Sequence, residues 1–182
     1  ASGDMYTGQW HNDFISGYGE KYYNNGDIYK GQWENNSKNG NGEMSYVNGY
    51  TYKGSWKNGT RHGFGKLKKN ENSFYEGEWK EDIIKGHGKQ TFKNGDVFIG
   101  FINDDELIKQ GIMNYADRSK YLGHFLNNKI NGKGIFILPN GNKISGNFRN
   151  GFFGEGIYKM DSITDLYSFL QFWNYKLIKY IY

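Results

Sequence analysis

The sequence predicts an all-β protein: an elongated single-layer antiparallel sheet of about seven stacked 23-residue β-hairpin repeats over residues 1–160, followed by a C-terminal amphipathic α-helix over 161–182. Three observations predict it. An aromatic-x-Gly-x-aromatic word returns every 23 residues. A Gly-x-Gly pair and an Asn-Gly turn return at the same interval and cut each unit into two extended halves. From Asp161 onward glycine is absent and apolar residues advance by three and four, which is helical spacing.

The repeated word begins at Tyr6, Tyr29, Tyr52, Tyr75, Phe98, Tyr121 and Ile144, with its glycine at Gly8, Gly31, Gly54, Gly77, Gly100, Gly123 and Gly146. Its last member is Trp10, Trp33, Trp56 and Trp79, then Ile102, Phe125 and Phe148. A fixed period of this size marks units that bury an apolar face only by stacking on their neighbours.

The glycine pair follows as Gly17/Gly19, Gly40/Gly42, Gly63/Gly65, Gly86/Gly88 and Gly132/Gly134. Four residues past it stand Tyr23, Tyr46, Lys69, Phe92, Tyr115 and Leu138. Steps of two and four keep such residues on one face of a strand, so each unit reads as two strands with rings and glycines sharing a face. Glycine weakens a strand, and the compensation expected here is room: bulky rings spread over glycines of neighbouring strands.

Two turns join the strands. Asn24-Asn25-Gly26 and its copies Val47-Asn48-Gly49, Lys93-Asn94-Gly95 and Pro139-Asn140-Gly141 suit a three-residue loop, a type I turn closed by a left-handed glycine. The other turn is expected to span the six residues between Trp10 and Gly17, with those two paired. The seventh unit is one residue shorter between Phe148 and Gly154, a slip that exchanges the faces unless the turn compensates.

In the tail, Ile163, Leu166, Leu170, Trp173 and Leu177 are expected to form the apolar stripe of a helix that caps the aromatic face or binds a partner.

Composition narrows the function. Mean hydropathy is −0.86 and apolar content 36%, yet 19% of residues are aromatic and there are 27 glycines against one proline. That combination fits a thin sheet whose burial is done by rings, since disordered chains are poor in aromatics. Cysteine is absent, which removes disulfides and thiolate metal sites. His11, His62, His87 and His124 lack ligand spacing, and no nucleotide loop or nucleophile elbow is present. No catalytic residue, metal or cofactor is therefore expected. A net charge of +4 comes from 23 basic residues interleaved with 19 acidic ones, so nucleic acid is not expected as a partner. Neither a signal-like run nor an apolar span of membrane length occurs, and the chain reads as soluble. Its start at Ala1 points to a fragment or to processing.

Asn25-Gly26-Asp27-Ile28-Tyr29-Lys30-Gly31-Gln32-Trp33 and its copies closely resemble the MORN (membrane occupation and recognition nexus) repeat family, over residues 6–158. The resemblance implies a twisted antiparallel sheet of stacked hairpins. It also implies a non-enzymatic adaptor that binds proteins, self-associates or contacts phospholipids. Cytoplasmic cytoskeletal, ciliary and membrane-associated assemblies are the implied settings, and regulatory modules of a lipid kinase or methyltransferase are a further one.

The expected partner surface is an aromatic groove of Tyr6, Trp10, Tyr23, Tyr29, Trp33, Tyr46, Tyr52, Trp56, Tyr75, Trp79, Phe92, Phe98, Tyr121 and Phe125, receiving an amphipathic helix or a second copy. A basic patch of Lys53, Lys57, Arg61, Lys66, Lys68 and Lys69 is the alternative, for an acidic peptide or anionic phospholipid.

Overall fold

Six of the strands begin just after two residues held in the left-handed region: Asn12 and Asp13, Asn35 and Asn36, Asn58 and Gly59, Glu81 and Asp82, Asn127 and Asn128, Asn150 and Gly151. Two such residues make a type I′ turn, whose twist matches that of the strands it joins. The resulting strands in the computed structural model, which describes residues 3–103 and 108–159, are β1 (Met5–His11), β2 (Phe14–Tyr22), β3 (Ile28–Glu34), β4 (Ser37–Ser45), β5 (Thr51–Lys57), β6 (Thr60–Asn70) and β7 (Ser73–Lys80). They continue as β8 (Ile83–Thr91), β9 (Val97–Asn103), β10 (Ile108–Asn114), β11 (Lys120–Leu126), β12 (Lys129–Ile137), β13 (Lys143–Arg149) and β14 (Phe152–Lys159). They form one antiparallel sheet of 14 strands whose order is the chain order. The tail helix and its stripe, Ile163, Leu166, Leu170, Trp173 and Leu177, lie outside the described residues. The chain divides into two compact units, residues 1–95 with 101–104, and 96–100 with 105–182.

The short turn revises one expectation. Trp10 pairs with Ile15 rather than Gly17, and the register then jumps so that Gly8 meets Gly19. Gln9 spans the jump: its Oε1 accepts the Tyr18 amide at 2.7 Å, as Gln32 accepts Asn41 at 2.6 Å and Glu78 accepts His87 at 2.9 Å. The first glycine of each pair is therefore a bulge residue in the left-handed region, with Gly17 at φ 88° and Gly40 at φ 79°. The six residues expected as a loop are a two-residue turn plus a bulge.

The three-residue loops form as the turn chemistry dictates. Tyr23 N donates to Asp27 O and Gly26 N to Tyr23 O, both at 2.9 Å, with Gly26 at φ 91°. Asp27 then braces the next loop by accepting the Val47 amide at 2.9 Å, as Asp4 accepts Asn24 at 3.0 Å. In the degenerate loop before β11, Arg118 occupies the glycine position at φ 72°. Arg118→Gly removes that strain and is expected to raise stability by about 1 kcal/mol, measurable as a rise in thermal midpoint.

The shortened seventh unit keeps its faces. Phe148 pairs with Phe153 and Gly146 with Gly156, so the bulge absorbs one residue fewer while the ladder on either side stays in register. Phe153 accordingly meets Phe148 edge-to-face at 5.5 Å.

The core of each unit is a single face. In the first, Tyr29, Trp33, Met44, Tyr52, Trp56, Leu67, Tyr75 and Trp79 are buried; in the second, Tyr121, Phe125, Ile130, Phe136, Ile144 and Phe148 are. Each tyrosine lies across the paired glycines of its own hairpin. A Cβ added at Gly19, Gly42, Gly65, Gly88 or Gly134 would lie closer than 3.0 Å to the ring of Tyr6, Tyr29, Tyr52, Tyr75 or Tyr121.

Candidate functional site: the ring face and its two cations

On the ring face of the first unit, tyrosine and tryptophan alternate edge-to-face in an unbroken ladder. Tyr6 meets Trp10 at 5.3 Å and Trp33 at 5.6 Å, and Tyr29 meets Trp33 at 5.1 Å and Trp56 at 5.3 Å. Tyr52 meets Trp56 at 5.1 Å and Trp79 at 5.4 Å, and Tyr75 closes on Trp79 at 5.4 Å. Such geometry sets the positive edge of one ring against the negative face of another. Polar tips are satisfied within the ladder. Tyr29 and Tyr52 donate to the Gln32 and Ser55 carbonyls at 3.0 Å, and the Trp33, Trp56 and Trp79 indoles donate to the Gly19, Gly42 and Gly65 carbonyls at 3.3, 3.3 and 3.1 Å. Burial pushes the phenols of Tyr75 and Tyr121 up to about 12 and raises those of Tyr29 and Tyr52, so these hydroxyls stay protonated at neutral pH.

This nesting corrects the expectation of an outward-facing groove. Tyr29, Trp33, Tyr52, Trp56, Tyr75, Trp79, Phe98, Tyr121 and Phe125 are buried. Only the margin is open: Tyr6, Tyr23, Tyr46 and Phe92 are half-buried, and Trp10 is 60% exposed. Trp10 differs because Trp33, Trp56 and Trp79 each receive a tyrosine and a glycine carbonyl from the preceding hairpin, and β1 has no described hairpin before it.

The expected basic patch is brought together only in part, with Lys53 and Lys66 as direct cross-strand partners. Lys53, Lys57, Lys66 and Lys68 alternate onto the face opposite the rings, whereas Arg61 pairs with Trp56 on the ring face. Lys53 is within 3.8 Å of Glu43, Lys66 within 3.5 Å of Glu76 and Arg61 within 2.7 Å of Asp82. A register shift between Lys68 and Asn70 turns Lys69 outward. Exposed pairs of this kind contribute little stability, and they set an acid beside three of the six cations, Lys53, Arg61 and Lys66.

Lys38 was not singled out from the sequence, and Arg61 only as a member of the basic patch. Lys38 and Arg61 lie opposite Trp33 and Trp56 in their hairpins and reach over the ring of the next unit. Lys38 Nζ sits 4.0 Å above Trp56 and 5.6 Å from Tyr29; Arg61 Cζ sits 4.3 Å above Trp79 and 5.7 Å from Tyr52. Ring faces attract the cations. Burial opposes the charge on Lys38 and brings its ammonium down to about 8. The signal was the 23-residue column Ile15, Lys38, Arg61, Ile84, Leu107, Ile130, Phe153, in which only two members are charged.

On the opposite face of the second unit, a shallow open depression is lined by Gln110, Leu122, Gly123, His124, Lys133, Ile135 and Asn147. Among the described residues no group of three or more His, Asp or Glu could hold a metal ion, and no helix is long and apolar enough to cross a membrane.

Comparison with known proteins follows the same units. A comparison with curated proteins returned no match. Among solved structures, the chain is similar to the SAS-4 (dCPAP) TCP domain in complex with a proline-rich motif of Ana2 (dSTIL) of Drosophila melanogaster. The identity is 21%, over 72% of this chain and 84% of that one, with a TM-score of 0.27. The model of the MORN repeat matches residues 6–28, 29–49, 52–73, 75–97 and 121–143, well over half of the sequence. The period, the glycine-seated tyrosines and these five matches together place the chain in the MORN repeat family.

Proposed function

We propose that the chain is a non-enzymatic scaffold or adaptor that holds a protein partner against the ring face, with an amphipathic helix as the docking element and a cytoplasmic cytoskeletal or membrane-associated assembly as the setting. The observation that carries the reading is the one-sided build. All described strands belong to a single sheet order, and the half-buried Tyr6, Tyr23, Tyr46 and Phe92 border a rigid ladder of buried rings. A floor that is already ordered loses little entropy when something docks on it, and tyrosine margins supply apolar area with a polar tip. Cross-linking the full chain in its source cells tests the reading. Tyr23→Ser with Tyr46→Ser is expected to lose the principal cross-linked partner, and recovery of the same partners by the variant would refute it.

The chain's own tail is the other candidate occupant of this face. Deletion of residues 161–182 is then expected to increase apolar-dye binding or to drive association, read by fluorescence and by sedimentation. A truncated chain that stays monomeric, with unchanged dye binding, shows that the tail does not cover the rings.

A further inference from the structure

One column of the array is handled in three chemical ways. The residue paired with each ring after the short turn is Ile15, Lys38, Arg61, Ile84, Ile130 or, in the shortened seventh unit, Phe153. The second turn residue of the following hairpin sits against its main chain: Asn36 N donates to Ile15 O at 3.0 Å, Gly59 N to Lys38 O at 2.9 Å and Asp82 N to Arg61 O at 3.1 Å. Where that turn residue has a side-chain oxygen, the oxygen is used. Asn36 Oδ1 accepts the Ile15 amide at 2.8 Å. Asp82 Oδ1 accepts the Arg61 amide at 3.0 Å and its Nε at 2.7 Å, which neutralises the guanidinium over Trp79.

Lys38 has the cation without the acid. Its ammonium lies over Trp56 as Arg61 lies over Trp79, yet the turn residue beside it is Gly59. A Cβ added at Gly59 meets nothing within 4 Å, so the corner that Asp82 fills in the next unit is open space here. Neighbouring charges are already committed, Lys21 to Asp4 at 3.1 Å and Arg61 to Asp82 at 2.7 Å. A single cation over a ring, with Asp82 and Asp27 acting on it only at a distance and no ion-pair partner of its own among the described residues, matches a single negative charge. It suits a carboxylate better than a phosphate dianion, which calls for more than one cation.

We propose that Lys38 and the open corner above Gly59 form a seat for an Asp or Glu side chain carried by the docking segment of a protein partner. The acid takes the place beside Lys38 that Asp82 takes beside Arg61. This rests on the scaffold reading and deepens it, by giving the partner a required acidic residue beside its apolar stripe. Partial burial makes the pairing discriminating, since a partner that covers Lys38 without an acid strands a desolvated charge.

The test fills the seat from within. Asp82 and Asn36 adopt φ 67° and 65° at the equivalent turn position, close to the φ 85° of Gly59, so Gly59→Asp is accommodated and places a carboxylate beside Lys38. A random peptide library displayed on phage is selected on the full chain, and the enriched peptides are synthesised. They are expected to share an Asp or Glu at one aligned position. Gly59→Asp and Lys38→Met, each checked for an intact thermal transition, are expected to weaken them by about tenfold or more. Changing the shared acid to its amide should give the same loss on the wild type and no further loss on Lys38→Met. Should Gly59→Asp not fold, Lys38→Met decides alone, because isoleucine already occupies that column in other units. Peptides that bind without a shared acid, or equally well to both variants, overturn the seat while leaving the scaffold reading in place. Failure to enrich any peptide overturns both.

Discussion

Tyr52→Ala is expected to destabilise the first unit by about 3–5 kcal/mol, the range for removing a buried aromatic side chain and leaving a cavity. The ring contacts Trp56 at 5.1 Å and Trp79 at 5.4 Å and covers Gly54 and Gly65, so its loss opens the ladder toward two hairpins at once. Tyr52→Phe keeps the ring and removes only the hydrogen bond to Ser55 O, for an expected cost of about 1 kcal/mol. Arrays of repeats need not unfold in one step, so the measurement is amide exchange within β3–β8 alongside the urea midpoint. Exchange in β3–β8 that is unchanged by the alanine would show that the ladder does not hold these strands together.

Gly65→Ala carries the second large effect, about 1–3 kcal/mol of destabilisation from overpacking. Its new Cβ would lie closer than 3.0 Å to ring atoms of Tyr52, and that ring is itself wedged between two tryptophans and cannot retreat. Gly49→Ala provides the contrast. Gly49 has open space within 4 Å but sits at φ 84°, so alanine there meets only backbone strain, about 1 kcal/mol. Paired denaturation curves separate the two causes. Equal costs at both sites would mean that glycine serves only as a turn-former in this sheet.

Much of this was legible in the residues because a repeat restates each local rule. The Asn-Gly loops could be specified to their length and turn type, since a left-handed third position after a type I turn leaves few alternatives to Gly26, Gly49 and Gly141. The sharing of one face by rings and glycines followed from steps of two. The short turn was misread because Asn12 and Asp13, Asn35 and Asn36, and Glu81 and Asp82 reach the left-handed region without glycine in most copies. The bulge glycine behind them looked like an ordinary strand residue. The column of Lys38 and Arg61 was passed over because spacing alone does not reveal which residue stands over a ring in the next unit.

The stacking of successive hairpins, the one-sided placement of rings and the resemblance to the family were legible in the 23-residue period and the motif words it carries, because side-chain alternation along a strand is a local property. The depth of the rings was decided only in three dimensions. Edge-to-face nesting between successive hairpins closes the face that spacing suggested was open, and leaves Trp10 as the exposed member. Tertiary structure likewise divided the charges. Two cations one period apart meet different turn residues, Asp82 for Arg61 and Gly59 for Lys38, and that contact depends on packing between hairpins.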